Sequence, residues 1–186
     1  MEGVILASSV LNNLSRRDAR LEHLTPEAYE VDPGQSLGEA VTRSWNRVLG
    51  AWQRSGGAGE AAASGSGEQP SQERLRQITR VLLEELRFGR PPRVGGVTID
   101  GERYPITNMW EHVPIHLPPP GTPLDRRSEG VAGAAQRSPH NLMQEFLNAS
   151  EDHLWGLLSN GRKLRLLRDN RSITRTPYVE FDLESI

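Results

Sequence analysis

The chain has 186 residues, of which 35% are apolar, with a formal net charge of -2 and no cysteine. That length suits one domain or one domain with an appendage, and the low apolar share points to some length outside a packed core. Disulfides, thiolate metal sites and cysteine nucleophiles are excluded, and without overall basicity any polyanion-binding surface must be local.

In chain order, residues 4–14 are apolar and read as a short helix. Turns come next at Thr25-Pro26-Glu27 and Asp32-Pro33-Gly34. Ser36-Leu37-Gly38-Glu39 has the spacing of a capping box, which opens a helix running through Trp52. Val41, Trp45, Val48, Leu49 and Trp52 recur at helical spacing, so both tryptophans read as core rather than as base-stacking platforms. Residues 55–70, rich in Gly, Ala and Ser, read as a flexible linker. A second helix is expected from a Ser71 cap to about Phe88, with Ile78, Leu82 and Leu86 on its apolar face beside Leu75, Val81 and Leu83. Gly89-Arg90-Pro91-Pro92 ends it.

The pattern then turns to strands. Residues 94–99 and 103–107 flank Asp100-Gly101, a hairpin signal. Residues 113–117 suggest a third strand, which Pro114 would place at an edge or make begin late. Residues 126–137 read as a loop, and Ser138-Pro139 as the cap and first position of a helix to about Ala149. Residues 154–159 and 162–168 meet across Asn160-Gly161, a strong hairpin signal because both turn positions favour positive φ. Residues 178–183 alternate and read as a last strand that could pair with a partner's edge. The fold class expected is α+β, with a helical section over 1–54, the linker over 55–70, and a mixed, mostly antiparallel sheet domain over 71–186 that forms one domain with the helical section.

Few residues carry recognisable chemistry. His112 and His116 have an H-x-x-x-H spacing, but Pro114 opposes the helix that would bring them together, and on a strand they stand about 13 Å apart. Phosphate-cradling loops and the G-x-S-x-G serine elbow are missing from the sequence. No apolar run nears the roughly 18 residues of a membrane span, and no basic segment precedes the apolar N-terminal stretch, so a cytoplasmic protein with no membrane partner is expected. Lys163 is the only lysine among the 22 basic residues, a bias that reads either as bidentate phosphate recognition or as GC-rich codon usage. Basic residues concentrate from Arg162 to Arg175, with Asp169 the only acid among them. Lys163 and Arg165 alternate with Leu164 and Leu166 and so share one strand face, suited to a phosphate backbone or to plain solvation.

Ser138-Pro139-His140-Asn141-Leu142-Met143-Gln144-Glu145-Phe146-Leu147-Asn148, followed by Leu154-Trp155-Gly156-Leu157-Leu158-Ser159-Asn160-Gly161, Leu164-Arg165-Leu166-Leu167-Arg168-Asp169-Asn170 and Tyr178-Val179-Glu180-Phe181-Asp182-Leu183-Glu184, resembles the front region of type IIG-like adenine-specific DNA methyltransferases, including those of DISARM-type phage-defence systems. Ser44-Trp45-Asn46-Arg47 and Leu49-Gly50-Ala51-Trp52 share the likeness, which is densest over residues 104–186. The resemblance implies a restriction-endonuclease-like sheet in which a helix glutamine, here Gln144, precedes a Ser-Asn-Gly hairpin, here Ser159-Asn160-Gly161. It also implies an Asp and a Glu-x-Lys that bind magnesium. No Glu-x-Lys occurs in the chain, and Asp100 and Asp125 have no evident partner. Nor does the family's glycine-rich cofactor loop or its Asn-Pro-Pro-Tyr motif occur. As a fragment, a truncated product or half of a split system, the chain is expected not to bind S-adenosylmethionine or methylate DNA. The expectation is a non-catalytic, degenerate nuclease-like domain that takes no cofactor. It contacts DNA phosphates through Arg162, Lys163, Arg165, Arg168, Arg171 and Gln144, or docks a DNA methyltransferase or another defence subunit. The alternatives are a magnesium-dependent endonuclease and a structural adaptor for a methyltransferase.

Overall fold

The computed structural model describes residues 2–3, 8–16, 25–54, 72–169 and 178–185. The chain divides into two compact units, Leu6–Glu68 and Met1–Ile5 with Gln69–Ile186. The linker expected over 55–70 and the Ser71 cap lie outside the described residues. No helix among the described residues is long and apolar enough to cross a membrane.

The first unit is helical. It holds α1 (Ser8–Ser15), a single 3-10 turn (Glu27–Tyr29) and α2 (Leu37–Arg54). The capping box forms as expected: Glu39 N–H donates to Ser36 Oγ at 3.2 Å, and Ser36 N–H donates to Glu39 Oε2 at 2.8 Å. The apolar stripe does not bury as a whole. Val48 and Ala51 are buried, whereas Val41 and Trp45 are exposed, which corrects the core reading of Trp45.

The second unit carries the sheet and is α+β. It opens with β1 (Glu2–Gly3) and α3 (Gln72–Glu85). Leu75, Ile78, Leu82 and Leu83 of α3 are buried. Leu86 is exposed instead, because the helix ends before it and the chain turns left-handed at Arg87, φ 67°. The hairpin of β2 (Val97–Ile99) and β3 (Glu102–Tyr104) turns on Asp100 and Gly101, both at positive φ, so that Ile99 pairs with Glu102. It forms a separate two-stranded sheet.

The main sheet has six strands in the order β1-β8-β7-β6-β5-β4, built from β4 (Asn108–Trp110), β5 (Val113–His116), β6 (Trp155–Ser159), β7 (Lys163–Arg168) and β8 (Tyr178–Asp182). All neighbours are antiparallel except β5 and β6, which run parallel with Ile115 opposite Leu157. A parallel pair needs a long crossover, and α4 (Pro139–Ala149) lies within it. Ser138 caps α4 by accepting the Asn141 N–H, with Pro139 at the first turn, as expected.

Three strand readings need correction. β4 was not expected as a strand of its own. Of the two readings of Pro114, the edge is overturned, because β5 is interior, and the late start holds. Opposite Pro114, the Met109 N–H points away to the Pro92 carbonyl, so that pair exchanges no ladder bond, and pairing with β6 begins only at Ile115. The missing proline donor therefore falls at the start of the strand, where it costs least. β8 is not a free edge either, because β1 pairs with it at Val179 and Glu180.

The β6–β7 turn also differs in detail. Gly161 takes φ 83°, while Asn160 keeps an ordinary φ and instead accepts the Arg162 and Lys163 N–H groups on Oδ1. Asn160 Nδ2 donates to the Thr122 carbonyl, so the side chain ties the turn to the loop after β5. A Cβ on Gly161 would stand 2.7 Å from Leu75 Cβ and 3.2 Å from the Leu75 carbonyl oxygen. Rigid neighbours and a left-handed φ act together here. Gly161→Ala is therefore expected to lose about 2–3 kcal/mol in urea unfolding. A loss below about 0.5 kcal/mol would mean that α3 yields freely at this contact.

The core lies between α4 and one sheet face. Leu142, Met143, Phe146 and Leu147 of α4 pack with Leu158, Leu167, Tyr104 and Ile106. Gly156 permits this approach, since a Cβ there would come 2.6 Å from Met143 Sδ.

Candidate functional site

In strand β7, Lys163, Arg165 and Leu167 share one face, as strand alternation requires. That face is not solvated. Leu167 belongs to the core under α4, and Arg165 is 2% exposed. Strand register brings Glu180 of β8 directly opposite Arg165.

Arg165 is the centre of a buried ion cluster. Its Nε donates to Glu180 Oε2 at 2.5 Å. Its Nη1 and Nη2 donate to the two oxygens of Asp125 at 2.6 and 2.7 Å, a fork-to-fork pair. Nη1 also meets His140 Nδ1 at 3.0 Å. A guanidinium has no acceptor, so His140 must accept there with an unprotonated Nδ1. The guanidinium carbon lies 4.8 Å from the Tyr178 ring centroid. Lys163 Nζ donates to Glu180 Oε1 at 2.7 Å, so both oxygens of this buried carboxylate are engaged.

The electrostatics match the geometry. Burial, then the neighbouring Arg165 charge, pushes the His140 imidazole down to about 4. The Arg165 hydrogen bonds hold Asp125 below the usual carboxylate range. The Glu180 hydrogen bond raises Lys163. His116, fully buried on β5, is also pushed down to about 4 by burial, with Nε2 3.3 Å from the Gly133 carbonyl oxygen.

The six residues expected to contact DNA therefore separate. Arg165 is the centre of an ion cluster, and its guanidinium nitrogens are paired with Glu180, Asp125 and His140 rather than turned to solvent. Lys163 is half-exposed but paired, and Arg162 lies 3.6 Å from Glu184. Arg168 is exposed, stands over the Trp155 ring at 5.5 Å, and lies 3.7 Å from Asp169. Gln144 is buried, and its amide donates to the Arg168 carbonyl and to Asn148 Oδ1, both at 3.0 Å, so it braces β7. Arg171 lies outside the described residues. Exposed Arg126 and Arg127, beside Asp125, add cations in a segment that the sequence marks only as loop.

Sequence reasoning missed Asp125, His140 and Glu180 as site residues. Asp125 has a partner after all, 40 residues away in Arg165. No spacing rule reports such a pair; the one available signal was that a basic residue in a strand of buried leucines demands a counter-charge. His112 sits in the exposed β4–β5 turn while His116 is fully buried, so the two histidines share no site. Among the described residues no three His, Asp or Glu side chains are grouped to hold a metal ion.

No family model, curated protein or solved structure matches this chain.

Proposed function

We propose that this chain is a non-catalytic DNA-binding or docking domain of a cytoplasmic restriction–modification or phage-defence system, working beside an adenine-specific DNA methyltransferase. In this reading the six-stranded sheet is a degenerate restriction-endonuclease-like core. The observation that carries the non-catalytic part is that both oxygens of Asp125 and of Glu180 accept from Arg165 or Lys163. A magnesium-dependent nuclease needs carboxylates free to ligate metal and activate water. Here a guanidinium bridges the two carboxylates, and Lys163 takes the remaining Glu180 oxygen. The endonuclease alternative would require the buried Glu180 carboxylate to give up both Arg165 and Lys163.

The DNA-contact part rests on the family resemblance and on the exposed cations Arg126, Arg127 and Arg168, the last with an indole beside it. Arginine beside an aromatic ring suits a nucleic-acid backbone and an unstacked base end. Fluorescence anisotropy with a short duplex at two salt concentrations tests this. Binding is expected to be micromolar and to weaken with salt. Arg126→Ala/Arg127→Ala is expected to reduce the logarithmic salt slope by up to about 2, near 0.9 per lost phosphate contact. Absence of binding at low salt would leave docking to a protein partner as the better account.

A further inference from the structure

Arg165 is almost wholly enclosed. Glu180 takes its Nε edge, Tyr178 one planar face and His140 part of Nη1, and the Asp125 carboxylate takes the outward Nη1–Nη2 edge. The two ends of that pair differ sharply in burial. The Arg165 side chain is 3% exposed, whereas that of Asp125 is 65% exposed. A carboxylate reaching in from solvent to a buried, pre-positioned guanidinium is how an arginine pocket holds an external anion.

The loop does not need Asp125 to stay in place. Leu124 is buried in the core, its carbonyl accepts the His140 N–H at 2.9 Å, and the Thr122 carbonyl accepts from Asn160. Asp125 can therefore swing out by side-chain rotation while the loop remains anchored. Charge balance points the same way. Arg165 and Lys163 against Glu180 and Asp125 sum to zero, and without Asp125 one positive charge is left unmatched in the pocket.

We propose that Arg165, flanked by Lys163 and His140, forms a phosphate-binding site that the Asp125 side chain occupies as an internal stand-in and that an external phosphate group can enter by displacing it. The ligand is a tetrahedral phosphate oxyanion whose two oxygens take the place of Oδ1 and Oδ2. The assignment of that phosphate to nucleic acid rests on the DNA-contact reading given under the proposed function; the site itself does not.

The test compares the native chain with Asp125→Ala and Asp125→Asn. Thermal unfolding is measured in inorganic phosphate and in chloride at equal ionic strength, and duplex binding is measured in parallel. Asp125→Ala is expected to bind phosphate about tenfold or more tightly than the native chain, seen as a midpoint that rises with phosphate but not with chloride. Asp125→Asn, whose amide still fills the space, is expected to gain less. If Asp125→Ala folds poorly in chloride, phosphate is expected to restore a cooperative transition. An Asp125→Ala midpoint that responds equally to phosphate and chloride overturns the proposal and leaves Asp125 as a clasp. A phosphate response without any gain in duplex binding keeps the site and removes nucleic acid as the phosphate source.

Discussion

Replacing Arg165 with methionine is expected to cost about 3 kcal/mol of stability, the lower end of the loss that removing one partner of a buried ion pair causes. The cost comes from Glu180, which is 5% exposed and would keep its charge with Lys163 alone as counter-ion. Lys163 still neutralises one oxygen, which keeps the loss from the upper end of that range. The Asp125 arm adds little, because its carboxylate is largely in water and its attraction is screened. The double variant Arg165→Met/Glu180→Leu is expected to recover most of the loss, since an apolar pair can replace a buried ion pair at little cost. Urea unfolding of the two variants reads both effects. A loss under about 1 kcal/mol for Arg165→Met would mean that the cluster is solvated and that the guanidinium is free for other work.

Acidification from neutral pH is expected to weaken the fold well before the carboxylates titrate. His116 and His140 have folded values of about 4 against 6.5 for an ordinary histidine. Between those two values the unfolded chain binds more protons than the folded one, so stability rises with pH through this window. The contribution is complete above pH 6.5 and is lost as pH falls toward 4. Each histidine changes stability by about 1.4 kcal/mol per pH unit there, so about 3 kcal/mol each is a ceiling for the whole window. Asp125 acts lower down: its contribution is complete above the ordinary aspartate value and is lost as pH falls through that value toward its depressed one. Urea midpoints at pH 7, 5.5 and 4.5 measure the slope. His116→Leu is expected to remove about half of it, because it deletes one of the two groups that must charge. A flat stability from pH 7 to 4.5 would show that both imidazoles reach water in the folded protein.

Local signals served where a single short-range force decides the conformation. The Ser36/Glu39 capping box, the Ser138-Pro139 helix start and the Asp100-Gly101 hairpin all form as the residues require, because each depends on one side chain and its immediate backbone. The strands β6 and β7 on either side of Asn160-Gly161 and the shared face of Lys163 and Arg165 were legible for the same reason. Pro114 left an edge or a late start open, and the late start is what forms, because neighbouring strands can be arranged so that no ladder donor is needed at that residue. Trp45 misled because helical spacing identifies a stripe and not the surface that would cover it.

The candidate site divides along the same line. Composition and spacing identified β7 as the cationic strand and its two basic side chains as facing one way. They could not say which face α4 covers, because that depends on the crossover between β5 and β6, and so they placed in solvent an arginine that the core surrounds. Nor could they pair Arg165 with Asp125, 40 residues earlier, or with Glu180, 15 residues later. Such pairings arise only when the chain closes on itself, and they form because a charge taken into a low-dielectric interior must find its opposite there. Short-range stereochemistry thus wrote the helices and turns into the residues themselves, while burial, which is a property of the assembled layers, set whether a basic side chain faces solvent or an internal counter-charge.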